Sequence, residues 1–211
     1  RVDDVLRIAS DSCCELDSNN LATAIHKVAQ ISRRDGHPSA GAVRSDARFA
    51  TLTASAQGRA AEWPPRQLCH VAWSIAALSI DRGVLLEQVS TAFSIRGAAE
   101  GVPQDISTFA WSMAVVPYFD HDALASTASG ALARICEFGL QDLAISAWAY
   151  AKLIYDQRRP LLTQIAAESL RKLDAFSGRN LANLVWSFAT AQHRDLPLCE
   201  ALVATCTERV G

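Results

Sequence analysis

Four tryptophans set the ruler of this chain. Trp73, Trp111, Trp148 and Trp186 stand 38, 37 and 38 residues apart. Around each lies one short pattern, with an aliphatic residue five places before the Trp and an alanine three places after it. It reads Leu68 to Ala76, Ile106 to Ala114, Leu143 to Ala151 and Leu181 to Ala189. A fixed period of roughly 20–50 residues marks a repeat array, in which each unit buries its apolar face only against its neighbours. A weaker copy lies upstream. Leu21 to Ala29 fits the frame with His26 in the tryptophan slot, 47 residues before Trp73.

Counted from that slot, apolar or small residues fall at −5, −1, 0, +2, +3 and usually +5, which is a helical stripe rather than a strand alternation. This stretch is helix A. Eight or nine residues past the slot every copy has an aspartate, namely Asp35, Asp81, Asp120, Asp156 and Asp195. Each is the expected N-cap of a second helix, B, because its carboxylate can accept an orphan backbone N–H. Pro38, Pro160 and Pro197 follow closely, as suits a first turn. Gly101, Gly139 and Gly178 separate helix B from the next helix A, and Gly97 marks an earlier stop. The expected order is B 2–15, A 17–31, B 40–57, A 65–79, B 83–97, A 103–116, B 121–137, A 140–154, B 159–174, A 178–191 and B 196–210.

The predicted fold is therefore all-α, a right-handed α-solenoid of about five helix-turn-helix repeats of 37–38 residues. It forms a single repeat domain over 1–211. Residues 1–16 are the helix B of a truncated repeat, 17–63 a long degenerate repeat, and 64–101, 102–138, 139–176 and 177–211 the regular ones. The nine or ten extra residues of the long repeat are placed around 54–65, after the body of its helix B. Small residues at −4, −1 and +3 imply close helix packing, so the tryptophans are expected in the core between repeats. The alternative is a row of Trp rings that stacks nucleobases. Both ends fall at a helix B with no polar cap, which predicts further repeats or partner protein subunits there.

Net charge is −2 and the pI about 6.2, unlike a strong polyanion binder, whose pI exceeds about 9. Of the 20 Lys and Arg residues only Lys27, Lys152 and Lys172 are lysine. The six cysteines form no C-x-x-C pair and have no histidine at metal spacing, so a reducing compartment is expected, without disulfide framework or metal. No apolar run reaches about 18 residues, and the longest uncharged one, residues 106–119, contains Pro117. The chain opens on Arg1, which predicts processing or a fragment. Phosphate-loop, zinc-protease and nucleophile-elbow motifs are absent, and the five histidines sit at different repeat positions. No catalytic residue, cofactor or small-molecule substrate is predicted.

What varies between repeats carries more. Positions −7, −3 and +4 share one side of helix A, with +1 beside them. In order these are Asn19, Thr23, Lys27 and Gln30; Arg66, His70, Ser74 and Ala77; Gln104, Thr108, Ser112 and Val115; Gln141, Ile145, Ala149 and Lys152; Arg179, Asn183, Ser187 and Thr190 (each set in the order −7, −3, +1, +4). Position −6 is always polar: Asn20, Gln67, Asp105, Asp142 and Asn180. A fixed apolar frame with a polar, repeat-variable stripe is what a modular reader of single-stranded RNA needs. The competing reading is a solvent face whose −6 residues merely start the helix.

The segment Leu181-Ala182-Asn183-Leu184-Val185-Trp186-Ser187-Phe188-Ala189 resembles the core of the octotricopeptide and heptatricopeptide repeats, helix pairs of 38 and 37 residues. They are related to the helical arrays of FAST-kinase-like and RAP-domain organellar proteins. Gln104-Asp105 and Gln141-Asp142 resemble the family's lead into helix A. The likeness spans nearly the whole chain and is strongest over 64–211. It implies sequence-selective RNA binding in a mitochondrion or chloroplast, serving transcript stability, processing, translation or ribosome assembly, including as an organellar ribosome subunit. It carries no nuclease-like RAP segment. The implied readers are Asn19, Asn20, Thr23, Arg66, Gln67, His70, Gln104, Asp105, Thr108, Gln141, Asp142, Arg179, Asn180 and Asn183, with Arg66, Arg179 and Lys152 meeting phosphate or base. The alternative is a non-catalytic protein–protein scaffold in a large organellar complex.

Overall fold

The computed structural model of the chain describes residues 1–11, 16–35, 37–80, 83–116, 118–155 and 158–210, without the side chains of 35, 37–39, 98, 209 and 210. Among the described residues there are twelve α-helices, three 3-10 turns and no strand. The helices are α1 (Val2–Asp11), α2 (Ser18–Asp35), α3 (His37–Arg44), α4 (Ala47–Ala56), α5 (Pro65–Ala77), α6 (Val84–Glu100), α7 (Pro103–Val115), α8 (His121–Ala133), α9 (Leu140–Leu153), α10 (Arg158–Arg171), α11 (Gly178–Thr190) and α12 (Leu196–Val210). The caps expected at Asp35, Asp81 and Asp156, with Pro38, Pro117, Cys13 and Cys14, lie outside the described residues or side chains. No described helix is long and apolar enough to cross a membrane.

The chain forms two compact units, Arg1–Gly101 and Val102–Gly211. In the first, α2 packs on α1, α4 and α5, and α6 packs on α5 and α4. In the second, α9 lies between α7 and α11, while α10 lies between α8 and α12. Within each unit, then, A helices neighbour A helices and B helices neighbour B helices. Small seam residues make this possible. Cys69, Ala72, Ala76, Ala110, Ala114, Ala144, Ala147 and Ala151 are all buried to within 2%. They let the A backbones approach closely, while the larger Leu68, Ile75, Ile106, Met113, Leu143 and Tyr150 fill the interior.

The expected caps appear where they can be observed. The Asp120 carboxylate accepts the Ala123 N–H at 3.1 Å, and that of Asp195 accepts the Leu198 N–H at 3.0 Å. Two of the glycines act differently from the expectation. Gly97 lies inside α6, whose end is set by Gly101, the amide of which donates to the Gly97 carbonyl at 2.9 Å. A β-carbon at Gly97 would come within 2.5 Å of the Phe93 ring, one turn earlier on the same helix. That glycine is there to make room for a ring, and the helix runs through it. Gly139 stands at the start of α9 instead of closing the preceding helix.

The extra residues of the long repeat are elsewhere too. Helix B closes in a 3-10 turn at 60–62, 135–137 and 173–175, and in all three cases the turn lies 11–13 residues before the tryptophan slot. The stretch from helix B to the next helix A is therefore of normal length. The insertion follows helix A. There α2 runs on to Asp35, and the separate helix α3 precedes α4. Asp46 restarts the chain as the true N-cap of α4, accepting the Arg48 N–H at 2.8 Å.

Each 3-10 turn ends on a buried aromatic, Trp63, Phe138 or Phe176, exposed by 2% at most. The Trp63 indole N–H donates to the Ser18 carbonyl at 2.6 Å, and Arg96 donates to the Trp63 carbonyl. In the second unit Lys172 Nζ donates to the Phe138 carbonyl at 2.8 Å and to the Cys136 carbonyl at 3.3 Å. A cation from one repeat thus ties down the turn of the repeat before it.

Candidate nucleic-acid interface

The tryptophans of the repeat motif are not core residues. Trp73, Trp111 and Trp148 are half-buried and Trp186 is 44% exposed, whereas the +1 residues beside them, Ser74, Ser112, Ala149 and Ser187, are fully buried. The reason is rotational. At about 100° per residue, positions −7, −3, 0 and +4 fall in one arc of roughly 60°, and +1 lies outside it. With neighbours on the remaining sides, that arc is what a helix A presents to solvent. The +1 hydroxyls point inward and donate to carbonyls one turn back: Ser74 to His70 (2.5 Å), Ser112 to Thr108 (2.8 Å) and Ser187 to Asn183 (2.5 Å). The variable stripe thus contains the tryptophan and excludes the +1 serines.

At −7, Asn19, Arg66, Gln104, Gln141 and Arg179 are all exposed. At −3, Thr23 is exposed, and His70, Thr108, Ile145 and Asn183 are half-buried. Lys152 is exposed, and its Nζ lies over the Trp148 ring at 4.8 Å. In the first unit the Arg33 guanidinium lies over Trp73 at 5.6 Å. Such cation–ring contacts contribute about 0.5–1 kcal/mol at exposed sites. No carboxylate occupies −7, −3, 0 or +4 in any repeat, while Lys152, Arg66 and Arg179 do. The net charge of −2 hides this separation, because Asp3, Asp4, Glu87, Glu100, Asp122, Glu200 and Glu208 all sit on B helices.

The −6 residues are third-residue caps of helix A. Asp105 accepts the Val102 N–H at 3.1 Å, and Asp142 accepts the Gly139 N–H at 3.1 Å. The second Asp142 oxygen accepts the Ser107 hydroxyl of the preceding repeat at 2.9 Å. These two carboxylates are committed to structure, which explains why the position is polar in every copy. The backbone amides of Asn20 and Asn180 are in turn capped by Asp17 Oδ1 at 2.7 Å and Ser177 Oγ at 3.3 Å. Gln67, at the same register, is half-buried.

Successive slot residues meet. In the second unit the Trp148 and Trp186 rings are 6.1 Å apart at 31°. In the first, His26 and Trp73 are 5.1 Å apart, edge to face. His70 lies flat against His26, with centroids 4.0 Å apart and planes at 10°. Burial and the neighbouring His70 lower the His26 pKa to about 4, so its ring is neutral at pH 7. No described group of three His, Cys, Asp or Glu side chains could hold a metal ion.

A second surface lies at α11 and α12. Here the seam residues Ala182, Val185 and Ala189 are exposed, with Val185 at 46% and Val203 at 67%. With Phe188 and Leu202 they line an apolar groove of about 820 Å³. No protein-family model and no curated protein matches this chain.

Proposed function

We propose that this chain is a right-handed α-solenoid of the octotricopeptide/heptatricopeptide type that binds single-stranded or ribosomal RNA along its helix A surface. It is non-catalytic and works in a mitochondrion or chloroplast, in RNA stability, processing, translation or ribosome assembly, including as a ribosomal subunit. The observation that carries this reading is the exposed arc of the A helices. In every repeat it bears a ring or imidazole, a polar −7 residue and no carboxylate, and Arg66 and Arg179 stand on it without an ion pair. The period and the Gln-Asp lead-in support the family assignment.

The test is the affinity of Arg66→Ala/Arg179→Ala for a single-stranded RNA across a salt series. Each lost phosphate contact lowers the magnitude of the salt slope by about 0.7 for a single strand, so the pair lowers it by about 1.4. An unchanged affinity and slope would remove both residues from the interface. A second reading, a protein–protein scaffold in an organellar complex, is favoured by the exposed apolar seam of α11. For that reading, Val185→Asp abolishes complex formation and leaves RNA affinity intact.

A further inference from the structure

The geometry points to the rings in the tryptophan slot as stacking platforms for unpaired nucleobases, with a base entering the wedge between Trp148 and Trp186. This rests on the RNA-binding reading but differs from edge recognition by polar side chains. Three observations carry it.

The first is spacing. A stacked base takes up about 3.4 Å, so a base held between two parallel rings needs a gap of about 7 Å. Trp148 and Trp186 stand 6.1 Å apart and 31° from parallel. That is too far for face contact between the rings, and a small rotation makes the gap wide enough for a base. The second is an internal precedent. In the first unit, a planar heterocycle of the chain itself already lies against the slot residue of the preceding repeat, where His70 stacks on His26 at 4.0 Å and 10°. His70 is the −3 residue of α5, and the corresponding residue of α11 is Asn183, which offers no ring. The third is charge. Lys152 Nζ already covers the Trp148 face at 4.8 Å, and Arg179 is exposed on the same arc. When a base takes over the ring face, Lys152 is released to meet the adjoining phosphate. Stacking on π-faces tolerates any base, so the ligand class is an unpaired strand rather than a duplex, whose bases are stacked on each other.

The experiment follows the intrinsic tryptophan emission of the full chain against three probes of equal length: oligouridine, the same strand annealed into a duplex, and an abasic ribose-phosphate oligomer. Oligouridine quenches the emission. The abasic oligomer and the duplex bind at least about tenfold more weakly and do not quench, since stacking contributes about a factor of 10 per base. Trp148→Ala/Trp186→Ala weakens oligouridine binding about 100-fold with an unchanged salt slope, and Trp148→Phe/Trp186→Phe recovers most of it. Equal binding of the abasic oligomer, or alanine variants that bind like the parent chain, overturns the stacking proposal and leaves RNA binding standing. Failure of all three probes overturns both and leaves the apolar α11 seam as a protein-docking surface.

Discussion

The fifth tryptophan, which lies outside the repeat motif, carries more of the stability than any of the four inside it. Trp63 has no exposed surface, and Trp186 keeps 44% of its own in water. A tryptophan buries about 200 Å² when fully covered, which at about 25 cal/mol/Å² is roughly 5 kcal/mol. Truncating Trp63 to alanine loses most of that. It also leaves the Ser18 carbonyl, now 2.6 Å from the indole N–H, without its donor, at a cost of about 1–3 kcal/mol. The expected loss of about 5–7 kcal/mol is comparable to the whole stability of many domains. For Trp186 the covered area is nearer 110 Å², so even the upper bound is about 3 kcal/mol. Trp63→Phe separates the two contributions, because it keeps the ring and loses only the hydrogen bond. Urea unfolding followed by far-UV circular dichroism reads all three. The order should be Trp63→Ala, then Trp63→Phe, then Trp186→Phe, from most to least destabilised. A Trp186→Ala loss as large as that of Trp63→Ala would mean that the motif tryptophans are core residues after all.

Three further outcomes follow from named contacts. Gly97→Ala, normally worth up to about 1 kcal/mol of helix propensity, destabilises here by about 1–2 kcal/mol because its β-carbon meets the buried Phe93 ring; a raised melting temperature would contradict this. Asp142→Ala costs about 1–2 kcal/mol through the lost Gly139 and Ser107 bonds and leaves RNA affinity alone, whereas a reader residue would show the reverse in a binding isotherm. The folded-state pKa of His26 is depressed from 6.5 to about 4, so between those values the unfolded chain binds a proton that the folded chain refuses. Its contribution is complete above pH 6.5, is lost as pH falls toward 4, and is flat below that. Urea midpoints measured through this window should fall for the parent chain and stay level for His26→Phe, apart from any slope common to both.

The helices were readable because helical periodicity and caps are local. The structure places α5, α7, α9 and α11 within a residue or two of where the tryptophan frame puts them. Errors arose where a residue's role depends on what packs against it. Gly97 reads as a stop until the Phe93 ring is seen over it. The insertion was placed at 54–65 because nothing in the sequence marks α3 as an extra helix, although the Asp46 cap and the basic-to-aromatic turn ending at Trp63, Phe138 and Phe176 were both visible signals. The tryptophans misled for a related reason. Hydrophobicity favours burial, but the alanine seam beside them brings the A backbones so close that a bulky ring is left on the outer edge. Position −6 looked like a reader because it is polar in all repeats, and constancy of that kind is what a third-residue cap produces.

The claim at the centre of this account is that RNA lies on the A helices, across the exposed rings. Ultraviolet crosslinking of the full chain to a 4-thiouridine-containing single strand, followed by mapping of the crosslinked peptides, tests it directly. Crosslinks should concentrate on peptides from α5, α9 and α11, those bearing Trp73, Trp148 and Trp186. Crosslinks confined to the B helices α8, α10 and α12, or none above background, would contradict it.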